Sequence, residues 1–178
     1  ACIATRARCP APLAVTLAEE SRTAPATWAS ITLYATAFAA LCTRARVARG
    51  DIVVVHSAAS GVGQAAIHLA ARLGATHIVA TAGTRDKREW VRRHFGDRYP
   101  GVFCREVGDS RDASAWAATL RAFQGRARVV LSPLSGSPHL HSSLALPEPG
   151  GVFVDIAKRH MLEDKAMRMG ALLENITY

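Results

Sequence analysis

The run Asp51-Ile52-Val53-Val54-Val55-His56 leads straight into Ser57-Ala58-Ala59-Ser60-Gly61-Val62-Gly63-Gln64-Ala65-Ala66, and this junction constrains the fold more than anything else in the chain. Consecutive β-branched residues leave no polar face, so the strand they form is covered on both sides. A tight turn from such a strand into a helix aims backbone N–H groups and the positive helix end at one point in space, where a pyrophosphate can sit. Small side chains let phosphates approach, and Gly63 lets helix and strand pack closely. Against the spacing GxGxxG, the three glycine positions hold Ala58, Ser60 and Gly63. That match alone also fits a plain strand-to-helix turn. Its position, after an apolar strand and before a small-residue helix, points to a nucleotide. Ser60, Gly61, Val62 and Gly63 are the candidate phosphate contacts.

The rest of the chain repeats the alternation. Residues 27–44 are alanine-rich and apolar, the pattern of a buried helix. Residues 63–73 read as a helix with Gly74 as C-cap. Residues 77–81 read as a strand, and 84–95 as a helix with Thr84 as N-cap. A third strand is expected at 101–104, a helix at 113–123, a strand at 127–131, a helix at 138–146 and a strand at 151–156. Strand and helix alternating in this way predict an α/β fold, a doubly wound parallel sheet with right-handed crossovers. Residues 161–173 predict a further helix, and 175–178 the start of another strand. Residues 1–24 read as irregular or partly extended.

The formal charge of +8 raises the question of nucleic acid. The basic residues are scattered, and no arginine run interleaves with aromatics, so a solvated arginine-rich surface is the better reading. No apolar stretch is long enough to cross a membrane. The first residues lack the apolar run of a secretory signal, and the absence of an initiator methionine suggests an excised piece. Cys2, Cys9, Cys42 and Cys104 lie far apart, without zinc-ligand spacing. Reduced thiols in a cytoplasmic protein without a metal are expected.

The second strand should end beside the adenine ribose, ~20 residues past the loop, where NAD sites usually place an acid. The chain has Thr81-Ala82-Gly83-Thr84-Arg85-Asp86-Lys87-Arg88 there. No carboxylate ends the strand, and Asp86 already falls in the helix. Thr84, Lys87 and Arg88 match the charge and acceptors of a 2′-phosphate, which predicts NADPH. Lys87 and Arg88 also fit a merely solvated helix face; the missing acid decides between the two. It argues against a methyltransferase as well.

With these segments in view, the chain resembles the medium-chain reductases of the quinone-reductase branch, through residues 55–67. Four further segments, in order, narrow the resemblance to the enoyl reductases of polyketide and fatty acid synthases. They are Ala80-Thr81-Ala82-Gly83-Thr84-Arg85-Asp86-Lys87-Arg88, Asp109-Ser110-Arg111-Asp112, Val129 to Gly136, and Gly151 to His160. The link around 95–107 and the ending at 161–178 look most like fungal highly reducing polyketide synthases. Ser110-Arg111-Asp112 counts against a stand-alone quinone reductase.

The resemblance implies a Rossmann-like NADPH-binding domain over residues 25–160. Residues 1–24 would be a remnant of a GroES-like substrate domain, and 161–178 a segment returning toward it. It implies reduction of an α,β-unsaturated thioester held on an acyl carrier protein, within a multidomain synthase. It further implies Lys87 and Asp112 as proton-donating or positioning groups, with Ser110 and Lys158 at the cofactor. Lys87 thus has two candidate roles, and the phosphate role is preferred. Other synthase domains and a second copy of the chain are the expected partners, with no nucleic acid and no membrane. Four positions depart from the family pattern: Ser132-Pro133 replaces an Asn-Ser pair, Ala157 a glycine and His160 an aspartate. These changes, and the missing substrate domain, leave open a second reading: a degenerate, non-catalytic module of a synthase.

Overall fold

In the computed structural model, the described residues are 30–114, 116, 126–135, 137–167 and 169–178. Helix α1 (Ile31–Phe38) continues into a π-helical turn, Ala39–Arg44, closed by a bond from the Ala45 N–H to the Ala40 carbonyl. Strand β1 (Ile52–Val55) follows, then α2 (Gly61–Leu73), β2 (His77–Ala82), α3 (Arg85–Arg98), β3 (Gly108–Asp109), β4 (Ala127–Ser132), α4 (Ser137–Leu144) and β5 (Pro147–Asp155). A short helix α5 (Arg159–Leu162) and a 3₁₀ turn (Met169–Glu174) end the chain. Every strand pairing is parallel, in the order β3-β2-β1-β4-β5.

The β-branched runs are explained by burial on both faces. Val53, Val55, Ile78, Ala80, Val129 and Leu131 pack with Ile67, Ala70, Val91 and Phe95 of the helices on one side. Val54, Val79, Val130 and Phe153 pack with Trp116, Leu140 and Leu144 on the other. A doubly wound sheet of this kind places its strand carboxyl ends in one row, with the order reversing between β1 and β4.

Helix ends obey their sequence signals. Gly74 takes φ +89°, the left-handed conformation a C-cap needs. The Thr84 hydroxyl accepts the Lys87 N–H at 3.3 Å and caps α3. Thr84→Ala should therefore cost about 1 kcal/mol. Urea denaturation checks it; an unchanged midpoint would remove the cap from the account.

Three expectations need correction. Helix α1 is not a mostly buried helix: Ile31, Tyr34 and Phe38 are exposed, and of its residues only Ala37 is buried. The third strand is not at 101–104, where only Phe103 bridges to Ile78. Gly101 and Val102 are spent on a turn, with Gly101 at φ +79°, and the ladder resumes at Gly108–Asp109 beside Thr81 and Ala82. Nor is 161–173 one helix. Asp164 at φ +48° breaks it after one turn, and a 3₁₀ turn follows. The expected start of another strand holds at Thr177, which bridges to Val152 in parallel. The segment 1–24, and most of the helix expected at 113–123, lie outside the described residues.

Candidate functional site

The carboxyl ends of β1, β2 and β3 build one side of the strand-end row. Ser57, at φ +53°, turns the chain out of β1, and the Ala58 N–H bonds the Thr81 carbonyl of β2 at 2.8 Å. Ser60 is extended and caps α2, its hydroxyl accepting the Gly63 N–H at 3.1 Å. A helix start leaves four N–H groups without intrahelical acceptors. The cap satisfies Gly63, and Gln64 reaches the Ser60 carbonyl. The N–H groups of Gly61 and Val62 have no acceptor among the described residues, so the turn offers two free donors at a positive helix end. Gly63 is enforced sterically: a Cβ there would lie 2.5 Å from the Ser57 carbonyl oxygen and 2.8 Å from the Ala58 Cα.

Beneath this turn sits His56, fully buried at the end of β1. Its Nδ1 meets the Thr81 hydroxyl at 2.9 Å and its Nε2 the Ser143 hydroxyl at 3.2 Å. The ring leans on Trp116, with centroids 4.5 Å apart. Burial, helped by the nearby His139, pushes its pKa down to about 3, so the ring is neutral at pH 7. One imidazole thus ties β1 to β2 and to α4 directly under the candidate phosphate loop.

At the end of β2, the candidate residues separate. Lys87 is exposed on the first turn of α3, and its ammonium makes no ion pair among the described residues. Arg88 folds back: its Nη1 lies 2.8 Å from Asp109 Oδ2 and 3.4 Å from the Ala82 carbonyl oxygen. Ser110 is buried, its N–H bonding the Ala82 carbonyl. Asp112 is exposed, and its Oδ1 accepts the Ser114 N–H and hydroxyl. Lys87 and Asp112 form no ion pair with each other.

On the other side of the row, Ser132 is buried, its hydroxyl accepting the Leu134 N–H and its carbonyl the Ile156 N–H. Asp155 closes β5. Its Oδ1 accepts the Ala157 N–H at 2.7 Å, and its Oδ2 the Tyr178 hydroxyl at 2.9 Å. His160 is buried with Nε2 2.9 Å from Asp155 Oδ2, at an angle too oblique for a hydrogen bond. Burial, the Asp155 hydrogen bond and its charge push Tyr178 up to about 12. Lys158 is exposed at the start of α5. A cleft of about 660 Å³ runs along the outer edge of β5, between Arg44, Arg46, Val152 and Tyr178, away from the β1–β2 turn.

Three functional features are not visible in the sequence. Asp109 neutralises Arg88, and placing the third strand too early hides it. The His56 bridge, and the bond from Tyr178 to the Asp155–His160 pair, join residues far apart in the chain; only the polar residues His56 and Asp155 at the ends of apolar strands hint at them. Among the described residues no group of three or more His, Cys, Asp or Glu could hold a metal ion, and no helix is long and apolar enough to cross a membrane.

No family model matches the chain. A highly reducing polyketide synthase of Aspergillus terreus is 35% identical over 147 residues, which are 82% of this chain and 5% of that protein. A second highly reducing polyketide synthase, cm3B of Cordyceps militaris, is 33% identical over 162 residues, 90% of this chain and 6% of that one. The chain thus spans only about one-twentieth of these curated relatives. Among solved structures, the nucleotide-binding subdomain of the enoylreductase domain of PpsC from Mycobacterium tuberculosis superimposes with a TM-score of 0.68 at 31% identity, covering 82% of this chain and 76% of that one. With a parallel doubly wound sheet, a helix-capping turn at its order reversal and these relatives, the chain belongs to the enoyl reductase domains of polyketide synthases, in the part that forms their nucleotide-binding subdomain.

Proposed function

We propose that this chain is the cofactor-binding half of an NADPH-dependent enoyl reductase, acting on α,β-unsaturated acyl thioesters in polyketide synthesis. The observation that carries the reading is the α2 turn: two N–H groups without acceptors among the described residues, at the order reversal of a parallel sheet. The donors suit a pyrophosphate, and the turn is held open for it by Gly63. Ser60, Gly61 and Val62 bind the pyrophosphate in this reading, and Gly63 gives it room by letting α2 lie close against the turn. Thr84 and Lys87 face the adenosine end, where no acid terminates β2, so a 2′-phosphate is accepted there. Bound across the row, NADPH supplies a hydride for the β-carbon of the enoyl group. A proton must then reach the α-carbon. An ammonium or carboxylate can deliver or orient that proton. Lys87 and Asp112 stand on the β2–β3 side, and the phosphate role is the one assigned to Lys87. Lys158, exposed just past β5, is assigned to the cofactor in this reading.

The thioester would be carried by an acyl carrier protein, with the remaining synthase domains and a second copy as partners in the cytoplasm. A second reading, a degenerate structural module, is favoured by one observation. Pro133 takes an N–H donor away from the β4 end, directly after the buried Ser132.

Calorimetric titration with NADPH and NADH tests the first reading. NADPH should bind more tightly, and Lys87→Ala should weaken NADPH about ten-fold while sparing NADH. Failure to bind NADPH at millimolar concentration sinks the assignment; equal losses for both dinucleotides would remove Lys87 from the phosphate. Binding without turnover of a crotonyl thioester in the intact synthase supports the structural module.

A further inference from the structure

We infer that Arg111, and not Arg88, is the second cation that makes this site choose a 2′-phosphorylated dinucleotide. The inference rests on the cofactor reading above and names a residue it leaves out. The sequence offers Arg88, but its guanidinium is already spent on the Asp109 carboxylate and the Ala82 carbonyl. Turning it to a phosphate would leave Asp109 half-buried without its cation, beside an incoming dianion. Both effects oppose binding.

Arg111 is placed differently. Asp109 Oδ1 accepts its backbone N–H at 2.9 Å, which fixes the chain just past β3. Its guanidinium then lies over Gly83 at the end of β2. A Cβ added at Gly83 would sit 3.6 Å from Nη2 and 3.7 Å from Cζ of Arg111, and 3.4 Å from the Ser110 hydroxyl. That is the residue immediately before Thr84, the cap of α3. The Arg111 guanidinium makes no ion pair or hydrogen bond among the described residues, and the residue is exposed. One carboxylate therefore does two things. Asp109 removes Arg88 from the site with one oxygen and holds Arg111 in it with the other. A planar fork over Gly83, with Lys87 on the first turn of the helix that follows, suits a phosphate dianion. The other charges near the end of β2 are Arg85 and Asp86, both exposed on the first turn of α3, and Asp112, which is bound to Ser114.

The test titrates the 178-residue chain with NADPH and NADH, following nicotinamide fluorescence. In Arg111→Gln the NADPH dissociation constant should rise about ten-fold and that of NADH stay within about two-fold, while Arg111→Lys keeps most of the preference. Arg88→Lys, which keeps a cation for Asp109 while removing the guanidinium fork, should change the NADPH-to-NADH ratio by less than about three-fold. The NADH constant also reports whether each variant is folded. A wild-type chain with no preference for NADPH overturns the cofactor reading and this inference with it. A wild-type preference that survives Arg111→Gln, or that collapses only in Arg88→Lys, overturns the inference alone.

Discussion

Gly63→Ala should destabilise the domain and abolish tight NADPH binding together. The added Cβ would fall 2.5 Å from the Ser57 carbonyl oxygen and 2.8 Å from the Ala58 Cα. Both are backbone atoms of the turn, so no side chain can swing aside. Either α2 lifts from β1 or the turn opens. Overpacking of this kind costs typically ~1–3 kcal/mol, and each kcal/mol lowers Tm by roughly 2–4 °C in a domain of this size. The same shift carries the Gly61 and Val62 N–H groups away from their common focus, so the NADPH dissociation constant should rise more than about ten-fold. Gly61→Ala is the control. Its Cβ meets Leu33 Cδ1 at 2.5 Å, the tip of a flexible side chain that can rotate away. Thermal unfolding should therefore separate the two variants by several degrees. Equal Tm losses at Gly61 and Gly63 would refute the backbone-clash argument.

The same turn shows what a sequence can and cannot reveal. The continuous β-branched run at 52–55 and the apolar run at 129–131 fit a strand covered on both faces, and the structure has them so. Gly74 and Thr84 act through backbone atoms within four residues, so local chemistry marks those two helix ends; α2 nevertheless starts at Gly61 rather than 63, capped by Ser60, and α3 runs on to Arg98 rather than 95. The third strand is hard to place because Gly101–Cys104 is apolar enough to pass for one. What decides its position is pairing with Thr81 and Ala82, which is not a local property. Arg88 resembles a phosphate ligand for the same reason. Its partner Asp109 is a neighbour only once β3 lies beside β2. His160 is a lone histidine in the sequence until β5 brings Asp155 within 2.9 Å. Site residues held by backbone capping are legible, whereas those held by tertiary ion pairs are not.

Among the described residues, His56 supplies the largest effect of pH on this fold. Its pKa is pushed down to about 3 in the native state by burial first and then by His139. An unfolded histidine titrates near ~6.5. Between those values the unfolded chain binds a proton that the native ring refuses. Stability is therefore complete above about pH 6.5 and falls as the pH drops, by up to ~1.4 kcal/mol per pH unit from this group. Moving from pH 7 to pH 5 should cost about 2 kcal/mol through His56 alone. His68, also lowered by burial and by Arg98 and His94, acts in the same direction. His56→Gln separates the two. Glutamine keeps one donor and one acceptor for the Thr81 and Ser143 hydroxyls but cannot titrate in this range. At pH 7 the variant should be less stable, by about 1–3 kcal/mol, because a fitted buried ring against Trp116 is lost. Toward pH 5 the gap should close, since the wild-type chain alone carries the His56 penalty while both carry that of His68. Urea denaturation at pH 7, 6 and 5 measures this directly, and parallel stability profiles for the two proteins would mean that His56 is not neutral in the native fold. The Ala58 N–H bonds the carbonyl of Thr81, the same residue whose hydroxyl holds His56. The protonation that destabilises the domain therefore acts through the strand pair that carries the phosphate turn.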